Sequence, residues 1–258
     1  MGRVSKISWT NSTWSPHEGC QKVSAGCKYC YMHRIIDSKG DPNCDSSKVR
    51  KKEENFNAPL NWMVGKKIFT CSMSDFFIEE ADEWRDELWK IIRKTPRHTY
   101  LILTKRPERI KDCLPKDWAP EFYSHVWLGV TVENQNEVHR IHTLGEIPCK
   151  LRWVSFEPLL SEIYLTDKEI DIIDWAVIGG ESGHETGKYQ YRKSELSWFL
   201  SLMYQLRSSK TPIFFKQFGT WYHKNKLFLK DTKGEDYCDN FPDGFKIREY
   251  PETIKKEG

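Results

Sequence analysis

Short β-branched or aromatic runs alternate along this chain with stretches in which apolar residues recur three or four positions apart. The runs cover residues 6–10, 67–71, 99–103, 126–130, 151–154, 175–178 and 213–215, and their length and composition predict strands. Between them lie amphipathic helix patterns. Trp84, Leu88, Ile91 and Ile92 share one predicted face, and Val138, Ile141 and Leu144 share another that is stopped by Gly145 and Pro148. The clearest face holds Leu196, Phe199, Leu200, Met203 and Leu206, with Ser194 as its expected N-cap and Pro212 beyond its end. Seven strands alternating with helices predict a parallel α/β sheet with the helices outside it. The expected architecture is a partial or complete parallel (β/α) barrel over residues 1–219. Residues 220–258, with Trp221, Tyr222, Phe228, Tyr237 and Phe245 among many charges, are expected to form a small irregular or β-rich C-terminal cap.

What terminates the strands points to chemistry. The runs end in Ser72-Met73-Ser74-Asp75, Thr104-Lys105-Arg106-Pro107, Thr131-Val132-Glu133-Asn134, Ser155-Phe156-Glu157-Pro158, Gly179-Gly180-Glu181-Ser182-Gly183 and Lys216-Gln217. Six apolar runs thus pass directly into hydroxyl, carboxylate or amine groups. In a parallel barrel those ends share the face where active sites are built. For any one strand, a polar loop is the simpler reading; six in succession predict a functional rim.

Composition narrows the class. At 258 residues, one large domain is expected, and 14% aromatic residues argue against a disordered chain. No apolar run reaches the length of a membrane span, and the first twelve residues lack the apolar segment of a secretory signal, so a cytoplasmic protein is expected. A net charge of +3 is too balanced for a protein that coats DNA. The best basic run, Lys48, Arg50, Lys51 and Lys52, is followed at once by Glu53 and Glu54 and reads as a solvated loop.

Eight cysteines in such a chain favour metal or redox chemistry over disulfides. Cys44, Cys71, Cys113, Cys149 and Cys238 are scattered, and a free cysteine serves by default as a small buried hydrophobe. Cys20, Cys27 and Cys30 are packed together, with Gly19 and Gly26 immediately before two of them. His17 and His33 flank the triplet, so a Cys3His zinc site can be drawn. Equally, three thiolates on a four-iron cluster leave one iron open to a small chelating molecule. Spacing alone does not separate the two, although the loop follows the first predicted strand and so belongs to the rim.

A three-cysteine loop after the first strand, with aromatic Tyr31 directly after the last cysteine, resembles the radical S-adenosylmethionine (SAM) superfamily. The first gap of six residues departs from that superfamily's commonest spacing of three. The chain more closely resembles a phage and bacterial family of unassigned function, the three-Cys-motif proteins of radical-SAM type. The resemblance is carried by Ile7 to Pro16, Gly19-Cys20, Gly26 to Tyr31, Ser72 to Asp75, Leu103 to Pro107, Gly129 to Asn134, Ser155 to Leu159, Gly179 to Gly183 and Phe215 to Gly219. It implies a 4Fe–4S cluster on Cys20, Cys27 and Cys30, with SAM chelating the open iron and a substrate losing a hydrogen atom. It also implies a reductant such as flavodoxin or ferredoxin, and it raises a dedicated partner protein and a nucleotide or nucleic-acid substrate as candidates. The superfamily's Gly-Gly-Glu at the second strand end is replaced here by Ser72 to Asp75, so Ser72, Ser74 and Asp75 are expected to meet the SAM amine. Gly179 and Gly180 are candidates for close backbone approach to adenine or substrate, and Glu133 and Asn134 for the ribose hydroxyls. Tyr31, Thr104, Lys105 and Thr131 complete the expected cofactor set. Glu157, Glu181 and Lys216 are the expected catalytic groups, with Arg106 and Gln217 facing the same centre.

Overall fold

The computed structural model describes residues 5, 7–38, 45–227 and 241–251; Lys6, Cys44, Phe228, Tyr237 and Cys238 lie outside the described residues. Strands are β1 (Ser12–Trp14), β2 (His17–Glu18), β3 (Arg50–Lys51), β4 (Lys67–Thr70), β5 (Thr99–Thr104), β6 (Val126–Thr131), β7 (Leu151–Phe156), β8 (Trp175–Gly179) and β9 (Ile213–Gln217). Seven of them pair in the order β1-β4-β5-β6-β7-β8-β9, every neighbour parallel, in a sheet curled into a half-barrel. The helices are α1 (Tyr31–Asp37), α2 (Glu53–Phe56), α3 (Asp82–Lys94), α4 (Ile110–Cys113), α5 (His139–Gly145), α6 (Asp167–Ile172), α7 (Leu196–Ser208) and α8 (Thr220–Lys224). Strand runs such as β6 and β8 are buried along their whole length, as a parallel sheet covered on both faces requires.

Two cores follow from the period of two along each strand. Ile68, Tyr100, Ile102, Leu128, Val154, Ala176, Ile178 and Phe215 join the larger core with the helices. Leu101, Trp127, Trp153, Trp175, Val177 and Phe214 form a separate, tryptophan-rich cluster with Trp9, on the opposite parity. That second set fills the concave side. The same parity carried to the strand ends presents Thr131 beside Ser155 and, further round, Lys216. The fold therefore delivers its polar groups on top of an aromatic floor.

Most helix faces match expectation. Leu88, Ile91, Ile92, Val138, Ile141 and Leu144 are buried, as are Phe199, Met203 and Leu206. On α7 the register is rotated: Leu202 is buried while Leu196 and Leu200 are exposed. Ser194 does not cap that helix; its hydroxyl donates to the Leu159 carbonyl at 2.6 Å, and Glu195 occupies the N-cap without a side-chain bond.

The first strand lies later than the pattern predicts. Within the apolar run at 6–10 the described residues turn, and pairing begins at Ser12 against Ile68. Trp9 instead plugs the concave side, with ring centroids 4.8 Å from Phe69, 5.2 Å from Trp153 and 6.1 Å from Trp175. A short apolar run satisfies a plug as well as a strand, and periodicity cannot tell them apart. The basic run at 48–52 is likewise not a free loop. Its Arg50 and Lys51 form β3, antiparallel to β2, and Arg50 and Lys52 both pair with Glu18 at 3.2 and 3.3 Å.

After α8, residues 247–250 run antiparallel along the outer edge of β9. The Phe215 N–H donates to Ile247, the Glu249 N–H donates to Ile213, and Phe214 bridges Arg248. Tyr250 then stacks on Trp175 at 5.6 Å, and the Lys67 ammonium lies 3.6 Å from its ring centroid. This strap covers an edge strand that would otherwise offer unpaired backbone groups and closes the lower end of the half-barrel.

Candidate functional site

A cavity of about 860 Å³ opens at the carboxyl ends of the parallel strands. Its floor is apolar, built from Ile7, Trp9, Phe69 and Leu103. Its walls are polar, and they contain Cys20, Cys27 and Cys30 together with Tyr31, Ser72, Ser74, Asp75, Thr104, Lys105, Thr131, Gly180, Glu157, Glu181 and Lys216. Most of the rim positions read from the strand ends are thus brought to one place. Glu133, Asn134 and Gly179 are not among the lining residues.

How each carboxylate is held changes its role. Asp75 accepts from Thr104 Oγ1 at 2.7 Å, from the Phe77 N–H at 3.0 Å, and from the Lys105 N–H and Arg106 Nη1 at 3.1 Å. Those four donors occupy its acceptor sites, so the carboxylate anchors Arg106 and does not wait for a ligand ammonium. Arg106 in turn donates to Cys20 Sγ at 3.7 Å and to the Gln21 carbonyl at 2.9 Å. Glu133 is fully buried and accepts from the Gly26 N–H at 3.1 Å, from the Ser24 hydroxyl, and from Arg140 Nη1 at 2.9 Å. Burial works to raise its pKa, but the charges of Lys105 and Arg140 and its two loop hydrogen bonds outweigh that and hold the carboxyl below its ordinary value. Glu181 is gripped by Arg192, through Nε at 2.9 Å and a second guanidinium nitrogen, and Arg192 also donates to the Ala25 carbonyl at 3.0 Å.

Asp75, Glu133 and Glu181 therefore form a three-point clamp on the cysteine loop, from the ends of three different strands. Asp75 and Glu133 are expected cofactor groups and Glu181 an expected catalytic one; Asp75 and Glu181 do line the cavity, Glu133 does not, and all three hold the loop. Of the two glycines expected near a ligand, Gly180 lines the cavity and Gly179 does not. A Cβ at Gly179 would lie 2.7 Å from Glu157 Oε1, and one at Gly180 would lie 2.0 Å from the Phe218 carbonyl oxygen. On the Cβ side of each glycine the space is taken by the protein itself. Asn134 accepts from the Asn136 N–H at 2.9 Å and caps a short helical turn. Ser74 donates to the Gly19 carbonyl at 2.5 Å, Ser72 meets Ser15, and the Tyr31 hydroxyl donates to the Ser72 carbonyl. Gln217 donates to the Ser182 hydroxyl and does not line the cavity.

Three groups remain turned to the cavity with capacity to act on something in it. Glu157 and Lys216 form an ion pair at 2.9 Å, with Ser155 Oγ 3.4 Å from the other carboxylate oxygen. The Lys105 ammonium makes no hydrogen bond or ion pair among the described residues. The Cys20 thiol is pushed up to about 12 by burial and by the Asp75 charge, against the opposing pull of Arg106; burial also raises Cys30. Without metal these thiols stay protonated, and a metal would have to displace their protons.

Of the two flanking histidines, His33 lines the cavity and His17 does not. His17 is fully buried, with Nε2 3.2 Å from the Asp75 carbonyl and 3.8 Å from Cys71 Sγ, and His33 Nδ1 lies 2.8 Å from Ser46 Oγ. Among the described residues, no three His, Cys, Asp or Glu side chains converge to hold a single metal ion. A cubane cluster makes a different demand, since it spreads its thiolates over separate corners. In number and kind the donors answer that demand: Cys20, Cys27 and Cys30 line one cavity, and Cys20 Sγ accepts a guanidinium hydrogen bond.

The comparisons with known proteins add the family. Residues 4–251 match the model described as "Protein of unknown function (DUF5131)". The chain belongs to the DUF5131 family. No curated protein and no solved structure matches it. The match spans both the clamp and the strap, so the half-barrel with its cavity is the fold of a DUF5131 member. Among the described residues, no helix is long and apolar enough to cross a membrane. Sequence reading of this DUF5131 chain missed Arg140 and Arg192, which no local motif marks, and the apolar floor. Cys71, expected as a small buried hydrophobe, is buried in the larger core and also borders the cavity.

Proposed function

We propose that this protein is a radical SAM enzyme, with a 4Fe–4S cluster on Cys20, Cys27 and Cys30. The observation that carries the reading is the gathering of these three thiols on one cavity at the carboxyl ends of a parallel half-barrel. When bound, a reduced cluster with SAM on its open iron supplies one-electron cleavage of the sulfonium and a carbon radical able to take a hydrogen atom from a substrate. The protein's part is orientation and exclusion of water. The clamp fixes the cysteine loop, and Ile7, Trp9, Phe69 and Leu103 keep the floor dry. Lys105 offers an ammonium to a carboxylate or phosphate, and Glu157 Oε1 with the Lys216 Nζ proton orients a polar substrate group. A nucleotide suits such a site, with its flat base on the aromatic floor and its anion toward Lys105.

Anaerobic reconstitution with ferrous iron and sulfide is expected to give a brown protein with broad visible absorbance from iron–thiolate ligation. Addition of dithionite and SAM is then expected to release 5′-deoxyadenosine. A colourless protein that takes up one zinc and no cluster overturns the proposal in favour of a zinc-binding module. Cluster and SAM bound together without deoxyadenosine would sink the catalytic claim alone.

A further inference from the structure

We infer that Arg106 is a positioning residue that sets the electron affinity of the cluster through Cys20. The inference rests on the iron–sulfur reading above and goes beyond it, because it makes the three cysteine ligands unequal. Of the three loop cysteines, and among the described residues, Cys20 is the one whose sulfur accepts a hydrogen bond from a cation. Arg106 Nη1 stands 3.7 Å from its Sγ, whereas Cys27 Sγ has the neutral Ser24 hydroxyl at 3.9 Å and Cys30 feels the Lys105 charge without a hydrogen bond from it. Arg106 has no freedom to be elsewhere. It is buried, tied by Nη1 to Asp75 Oδ2 at 3.1 Å and by Nη2 to the Gln21 carbonyl at 2.9 Å. Its carboxylate is itself fixed by Thr104, Phe77 and Lys105. The guanidinium thus bridges two anions once Cys20 is a thiolate, one from the sheet and one from the loop. A sheltered ion pair aimed at a single sulfur is expensive to maintain for stability alone.

The sign of the effect follows from charge. Reduction brings one electron into the cluster and breaks no bond, so a nearby positive charge and an N–H···S hydrogen bond favour the reduced form; hydrogen bonds to the sulfurs are a recognised lever on such potentials. Arg106→Gln removes the cation and uncovers Asp75 at the same moment, and both changes disfavour the added electron. Lysine keeps the charge but loses the fork that reaches Asp75, Cys20 and Gln21 together.

The test is a dithionite potentiometric titration of reconstituted protein, followed by the low-temperature electron paramagnetic resonance signal of the reduced cluster, with iron and sulfide counted in each sample. At the potential where half of the wild-type cluster is reduced, R106Q is expected to show a reduced-to-oxidised ratio at least tenfold lower. For a one-electron couple that is a shift of about 59 mV. R106K should fall between the two. R106Q with full iron content and the wild-type ratio overturns the inference. So does R106Q that loses its iron while R106K keeps both wild-type iron and the wild-type ratio, because the arginine would then be structural only. A wild-type protein that assembles no cluster fails at the earlier step and removes the cluster reading and this inference together.

Discussion

Glu133→Gln tests the clamp directly, because Glu133 joins the barrel to the cysteine loop while touching no cavity surface. The carboxylate is fully buried, and its main partner, Arg140, is 4% exposed. Removing one member of a buried ion pair typically costs about 3–5 kcal/mol. Here Arg140 keeps Glu137 at 2.7 Å and the Thr131 carbonyl at 2.8 Å, so the lower end, about 3 kcal/mol, applies. The glutamine carbonyl can still accept from Gly26; alanine cannot, and an orphaned buried N–H adds about 2 kcal/mol. For a chain of this size, about 3 kcal/mol lowers the melting temperature by about 6–12 °C. Calorimetry and urea titration at pH 7 read both numbers, and amide exchange at residues 24–27 should accelerate in step. The pH dependence supplies a second check. Glu133 sits below its ordinary value of 4.5 in the folded state, so its contribution is full above that value and fades as pH falls through the folded pKa. The gap between wild type and E133Q should therefore narrow on acidification below pH 4.5. If E133Q matches wild type within about 0.5 kcal/mol, the usual range for surface substitutions, the clamp does not hold the loop.

Other outcomes follow from the same geometry. Burial lowers the pKa of His17 from 6.5 to about 4, so the unfolded chain takes up a proton that the folded one refuses. Wild type should lose about 3 kcal/mol between neutral pH and that value, a loss absent from His17→Gln in paired denaturant titrations. Gly180→Ala forces a Cβ to within 2.0 Å of the Phe218 carbonyl, and a cost of about 3 kcal/mol in urea titration is expected; wild-type stability there would mean that the strand end shifts freely. Tyr250→Ala removes the stack on Trp175 and the edge contact with Phe214. It should cost about 2–3 kcal/mol and expose the strap to limited proteolysis, whereas an unchanged cleavage pattern would show that the strap is held by its backbone alone.

The strands and their polar ends were legible because a parallel sheet buried on both faces writes itself as apolar runs, and because Ser, Thr, Glu and Lys end those runs abruptly. Assigning the ends their tasks was not possible from the chain alone. Asp75, Glu133 and Glu181 look alike in sequence as acids after strands, and only the approach of Arg106, Arg140 and Arg192 shows that they are held by cations. Those arginines lie 31, 7 and 11 residues from their carboxylates, at no repeating interval. Trp9 misled for a related reason: in one dimension a plug and a strand are the same short apolar run. The displaced register of α7 shows the limit from the other side, since Leu196 and Leu200 satisfy a helical period as well as Leu202 does.

The strap has a kinetic meaning as well as a structural one. Tyr250 contacts Ser8 across 242 positions and caps the aromatic floor that Trp9 also fills. Contacts of such high order can form only after the intervening sheet has drawn the two segments together, so most of the loop-closure entropy is lost before these contacts reward it. The floor should therefore be among the last parts to set, with its tryptophans among the last side chains to leave water. Their fluorescence would report that event from within, with a late blue shift after the far-ultraviolet signal of the sheet is complete.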